Sequence, residues 1–125
     1  MFKSILWVTL GGIIGTLSRY AVYLTISFFN IHSAIATLIV NLLGCFIAGS
    51  FLEMSQSTIL SSNLKLFVFI GILGAFTTFS TFTIDNYQLL QANKINQLLL
   101  NLFTNNILGL VALIIGITIT KKIIN

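Results

Sequence analysis

Residues 64–90 read LKLFVFIGILGAFTTFSTFTIDNYQLL, a run long and apolar enough to cross a bilayer whose middle nonetheless holds the hydroxyls of Thr77, Thr78, Ser80, Thr81 and Thr83 and the carboxylate of Asp85. Spanning a hydrocarbon core takes about 20 residues of helix. Every backbone polar group at that depth needs an internal partner, so a run rich in Gly and β-branched residues, able to loosen a helix, survives only where it faces protein or a water-filled path. The stretch therefore points to a membrane protein that handles polar cargo.

Three further stretches, residues 4–29, 33–52 and 98–120, share that length and character. The 125 residues are 57% hydrophobic and 6% charged with no Pro, and mean hydropathy is +1.06. Continuous apolar runs specify helices, because barrel strands would alternate polar and apolar residues. The expected fold is an all-α membrane protein, a single integral membrane domain over residues 1–125 with helices near 4–29, 33–52, 64–90 and 98–120. The links 30–32, 53–63 and 91–97 leave no room for a second domain. Met1-Phe2-Lys3 is similar to the charged start of a signal peptide, but Arg19 and Tyr20 stand where a small-residue cleavage site belongs, so the first helix is read as retained.

Composition also excludes function classes. One Cys, Cys45, and one His, His32, provide neither an intrachain disulfide nor a Cys or His metal cluster. No nucleophile, base and orienter set can be assembled from them with Glu53 and Asp85, so an enzyme is not expected. The net charge of +4 comes from scattered Lys and suits membrane flanks rather than nucleic acid. Four helices in so small a chain cannot enclose a wide pore and its scaffold together, which implies oligomerisation with the path at or near an interface.

Each helix carries a stripe of small or polar residues. In the first, Gly11, Gly15 and Arg19 lie at i, i+4 and i+8, and small residues at that spacing let helix backbones approach closely. An arginine at such depth costs roughly 2.5 to 3.5 kcal/mol on insertion scales; Arg19 therefore faces water or an anion, or snorkels to the interface beside Tyr20 and Tyr23. In the second, Thr37, Asn41, Gly44 and Ala48 form the stripe. The Asn41 amide offers donors and acceptors without charge and could replace water around a small ion, or could simply join two helices. In the fourth, Asn101, Asn105 and Gly109 repeat the spacing. In the third, Thr78, Thr81 and Asp85 share a face with Phe79 and Phe82 beside it. The positive edge of an aromatic ring can meet an anion, although by residue type alone Phe79 and Phe82 read as core packing more readily than as ligands. An interrupted helix near Gly74 and Thr77 would free carbonyls for a cation.

Three blocks, GGIIGTLSRY at 11–20, TLIVNLLG at 37–44 and GAFTTFSTF at 74–82, resemble the Fluc (CrcB) family of fluoride channels in the family's order and over nearly the whole chain. The resemblance implies an antiparallel dual-topology dimer, a third helix broken near its middle, two fluoride pores each lined by both subunits, and a structural sodium ion at the dimer centre. It assigns the Gly74 and Thr77 backbone carbonyls to sodium, Phe79 and Phe82 to fluoride, Asn41 to the pore amide, Arg19 to the vestibule and Thr81 to a polar track. Asn105 is placed on the same pathway, although the family commonly has Tyr then Ser where Asn101 and Asn105 stand, and Glu in place of Asp85. Those changes keep polarity and alter reach.

The expected activity is passive, selective export of fluoride through the cell membrane, lowering its cytoplasmic concentration. A proton-coupled small multidrug exporter is the alternative, but it would want a carboxylate in the first helix, which has none. A non-transporting assembly subunit would explain the glycines and not the hydroxyl and aromatic run. Lys3, Lys65, Lys121 and Lys122 on the side of the termini, against Lys94 and the deeper Arg19, favour cytoplasmic termini. That bias leaves a heteromer with a paralogue beside the antiparallel homodimer.

Overall fold

The computed structural model describes residues 2–57 and 60–124, and among them every regular element is helical. Four helices are long and apolar enough to cross a membrane: Phe2–Phe28, Ser33–Gln56, Ser62–Gln91 and Ile95–Ile124. Helices α1 (Phe2–Phe28) and α2 (Ser33–Ser57) form the first two spans. The third span comprises α3 (Ser62–Lys65), a π-helical stretch Leu66–Leu73, α4 (Gly74–Phe76) and α5 (Phe79–Gln91). The fourth comprises α6 (Ile95–Phe103), a second π-helical stretch Thr104–Leu108 and α7 (Gly109–Ile124). Met1 of the charged start and Thr58 and Ile59 of the expected 53–63 link lie outside the described residues. Helix α2 continues past residue 52 to Ser57, because Glu53, Met54 and Gln56 are good helix formers that extend the helix as the sequence turns polar.

The first and third connections use one device. Asn30 and Asn93 both take φ of 55°. Each stands just past a helix end, where the Ile31 N–H reaches the Ile26 carbonyl at 3.3 Å and the Lys94 N–H reaches that of Leu89 at 2.9 Å. A left-handed residue at this position satisfies the carbonyls that a helix end leaves open, and Asn tolerates it better than most residues. At the start of α3 the Ser61 hydroxyl caps the helix by accepting the Leu64 N–H at 3.2 Å.

The first span packs along the third and the second along the fourth. Gly11 and Gly15 are buried against the third span, where a Cβ would run into the carbonyl oxygens of Phe67 and Ile72 respectively. The absence of side chains there lets two backbones touch. Ala36, Val40, Val68, Leu73, Phe76, Phe82 and Leu89 are the buried apolar residues among those described, and Thr37, Thr78, Asp85 and Asn101 are buried with them. Many large apolar residues face outward, among them Leu17, Ile70, Leu100 and Leu110, as lipid contact requires.

Candidate functional site

The helical path of the third span stops at two threonines. Thr77 has φ −78° and ψ 157°, and Thr78 has φ −148° and ψ 120°, both extended. Their side chains compete with helix geometry: the Thr77 hydroxyl donates back to the Leu73 carbonyl at 2.8 Å, and the Thr78 hydroxyl caps α5 by accepting the Thr81 N–H at 3.2 Å. The Thr78 hydroxyl also donates to Thr81 Oγ1 at 3.1 Å and lies 3.2 Å from Ser80 Oγ.

Asn41 on α2 stands in for the missing turn. Its Oδ1 accepts the Thr78 N–H at 2.9 Å, while its Nδ2 lies 3.3 Å from the Thr78 carbonyl. One amide thus satisfies both polar groups of an extended residue inside the membrane. In a continuous helix the Thr78 N–H would go to the Gly74 carbonyl; here that carbonyl loses its helical donor. Gly44, one turn further along α2, sits where a Cβ would run into Thr77 Cγ2, so glycine allows this close approach.

From Asn41 a line of amides runs through the protein. Asn41 Nδ2 donates to Asn105 Oδ1 at 3.0 Å, Asn105 Nδ2 to Asn101 Oδ1 at 3.0 Å, and Asn101 Nδ2 to Asn86 Oδ1 at 2.8 Å. All three bonds point the same way, and such chains polarise one another in a low dielectric. Asn105 lies in the π-helical stretch Thr104–Leu108, a widened turn of the kind found at functional sites.

A cavity of about 460 Å³ opens beside these groups, lined by Asn41, Gly74, Thr77, Thr78, Phe79, Phe82 and Asn105 among others. The rings of Phe79 and Phe82 meet at 5.7 Å with an interplanar angle of 47°. They differ sharply in setting, since Phe79 is 79% exposed and Phe82 only 7%. The amino terminus of α5 faces this cavity through Thr78 and Phe79, and the unpaired N–H groups of a helix start favour negative charge.

Of the residues singled out in the sequence, Asn41, Asn105, Gly74, Thr77, Phe79 and Phe82 are brought together around this cavity. Thr81 joins through the Thr78 hydroxyl. Arg19 does not line the cavity; it is half-buried, with Nη1 on the Thr77 carbonyl at the long distance of 3.5 Å. The carbonyls of Gly74 and Thr77 are neutral, hard oxygen donors, and no group of three His, Cys, Asp or Glu among the described residues could hold a metal instead. That donor set suits a monovalent hard cation rather than a divalent one.

One residue, Asn86, and the hydroxyl partners of Asp85 escaped sequence reading. Asn86 ends the amide line, yet it lies beside Asp85 without a stripe of its own. Asp85 itself is 2% exposed and accepts the Ser33 hydroxyl at 3.0 Å and the Thr37 hydroxyl at 2.6 Å. Thr37 stands one turn from Asn41 on the same α2 stripe, which was the available signal; nothing in a single sequence pairs it with Asp85.

The family described as "CrcB-like protein, Camphor Resistance (CrcB)" matches residues 6–117. A protein of Azobacteroides pseudotrichonymphae named "Fluoride-specific ion channel FluC" is 40% identical over 124 residues, covering 97% of this chain and 98% of its own. Proteins of the same name from Campylobacter jejuni and Campylobacter hominis are 41% identical over 122 residues and 39% identical over 127. The first covers 97% of this chain and all of its own, the second all of both.

Proposed function

This chain belongs to the CrcB-like family, and from that membership we propose that it is a fluoride-selective ion channel, a multi-pass protein of the cell membrane that lets fluoride leave the cytoplasm down its electrochemical gradient. The observation that carries the reading is the likeness to fluoride-specific channels at about 40% identity over nearly the full length of both chains. The site supports it. The Asn41 and Asn105 amides, the residues that start α5 and the Phe79 and Phe82 rings line one cavity without a positively charged side chain among its lining residues. Donors at fixed positions replace the hydration shell of a small anion, and a neutral lining holds it weakly enough to leave.

In this reading the Asn41 amide braces the extended Thr77–Thr78 backbone beside the path, and it would turn one N–H from Asn105 or from the Thr78 carbonyl toward a passing ion. Phe79 and Phe82 offer positive ring edges. Thr81 supplies a hydroxyl beside them, Asn105 continues the polar line, and Arg19 draws anions toward the vestibule from behind Thr77. The interruption at Thr77–Thr78 is the functional break of the third span. The open cavity beside it is completed by a second copy of the chain, antiparallel to the first. Sodium, when bound, would be held by the Gly74 and Thr77 carbonyls of both copies and would act structurally, neutralising carbonyl dipoles that face one another at the dimer centre.

Fluoride efflux from liposomes containing the purified protein, with chloride as the control, tests the reading directly: fluoride should leave and chloride should stay. Equal fluxes of the two anions would overturn it. Replacing sodium on both sides with a large organic cation should suppress efflux, and undiminished efflux would remove sodium from the account. Paired cytoplasmic and periplasmic reporters on the carboxyl terminus should both give signal. A cytoplasmic signal alone points to a heteromer.

A further inference from the structure

The buried carboxylate of Asp85 takes no part in the pathway described above. It is not among the residues lining the 460 Å³ cavity, and a negative group there would repel an anion. Both of its oxygens are already engaged, Oδ1 by the Ser33 hydroxyl and Oδ2 by the Thr37 hydroxyl. Thr37 has a single hydroxyl proton and gives it to Asp85, so the 2.7 Å contact between Thr37 Oγ1 and the Tyr23 hydroxyl is donated by Tyr23. Tyr23 on α1, Thr37 and Ser33 on α2, and Asp85 on α5 thus meet at one point, where Thr37 and Asp85 are buried, Tyr23 is half-buried and Ser33 is exposed. A carboxylate at membrane depth is costly even when hydrogen-bonded, and an apolar residue would fill the space without that cost.

Helix α5 is therefore tied to α2 at two heights, by Thr78 to Asn41 and by Asp85 to Thr37 and Ser33. The first tie holds the residue that caps α5 and the second its seventh residue, about 9 Å along the axis from the helix start at 1.5 Å per residue. A single tie leaves a helix free to turn about it; two separated ties fix rotation and height together. Phe82 lies between them, three residues before Asp85 and so on a neighbouring part of the same face. Its ring is 7% exposed and carries Phe79 against it at 5.7 Å.

We propose that Asp85 is a positioning residue: with Thr37 and Ser33 it forms a carboxylate–hydroxyl clamp that fixes the rotation of α5 and so aims the Phe82 and Phe79 ring edges into the cavity. This rests on the fluoride-channel reading for its functional consequence and on geometry alone for its structural one. The test separates the two by pairing efflux, measured on the unlabelled proteins, with ¹⁹F NMR of the same variants carrying 4-fluorophenylalanine at position 82. Thr37→Val, which keeps shape and removes the hydroxyl, should shift or broaden the ring resonance and lower fluoride efflux about tenfold. Thr37→Ser, which keeps the hydroxyl, should restore both. Asp85→Asn combined with Thr37→Val should be no worse than the more impaired single variant, since both act through one contact. If Thr37→Val fails to fold, Ser33→Ala removes one hydroxyl from the carboxylate and is read the same way.

An unchanged resonance in the variant lacking a hydroxyl overturns the clamp, as does a shifted resonance with unchanged efflux, or a Thr37→Ser protein as impaired as Thr37→Val. An unlabelled parent that passes fluoride and chloride alike would sink the channel reading instead, while the ring resonance of the labelled protein would still report whether Thr37 sets the ring.

Discussion

Upstream of Thr77 the third span meets the first through backbone, with Gly11 and Gly15 pressed against the Phe67–Ile72 region. Downstream, it meets the second through side chains, by way of Asn41 at Thr78 and Thr37 and Ser33 at Asp85. The upstream contact is a matter of volume, since helices in lipid associate through close packing rather than the hydrophobic effect. The downstream contact is a matter of donors and acceptors, each of which costs free energy if left alone. A change of size should therefore be felt most before the interruption. A change of chemistry should be felt most after it, where folding survives and transport does not.

The largest effect belongs to Gly15→Leu. Its branched side chain would have to occupy the space of the Ile72 carbonyl, backbone that cannot yield, and overpacking costs about 1–3 kcal/mol even where neighbours give way. Little protein should elute as a single species from a sizing column in detergent. A monodisperse Gly15→Leu protein would break the comparison at its upstream end.

Next comes Asn41, where size is nearly preserved and chemistry is not. Asn41→Asp should reduce fluoride efflux on the order of a hundredfold, because it places a fixed negative charge at the path and loses the donor to Asn105. Asn41→Ser keeps a hydroxyl donor and should fall less, about tenfold. Both should remain folded. The reverse order of fluxes would place the residue off the path; wild-type efflux from Asn41→Asp at neutral pH would mean either that or a protonated carboxyl, which a pH titration of efflux distinguishes.

The two rings should sharpen the contrast further. Phe79 is exposed, so Phe79→Ile should change stability by no more than about 0.5 kcal/mol while efflux falls strongly. Phe82→Ile should lose efflux and also about 1 kcal/mol of stability, since the ring is buried. Thermal melts beside liposome fluxes check both, and normal flux from folded Phe79→Ile and Phe82→Ile proteins would return the rings to packing. The smallest effect is expected at Gly12, where a Cβ would meet nothing within 4 Å. Gly12→Ala should match wild type in elution and in efflux. A clear loss in either would mean that the face bearing Gly12 is covered in the assembled protein.

Membrane depth, helical spans and the stripes of small and polar residues were legible in the chain because each is a local property. Hydropathy is summed along a segment, and a spacing of four residues puts Asn101 and Asn105, or Gly11 and Gly15, on one face whatever surrounds the helix. The blocks at 11–20, 37–44 and 74–82 carried the family by the same local means. What the chain could not display is which stripe faces which. That Asn41 spans the polar groups of Thr78, that the amides of Asn41, Asn105, Asn101 and Asn86 bond head to tail, and that Thr37 gives its proton to Asp85 all depend on the rotation and height of one helix against another. Those two quantities are set jointly by packing at every contact, the glycine seam upstream included, and so only the tertiary structure decides them.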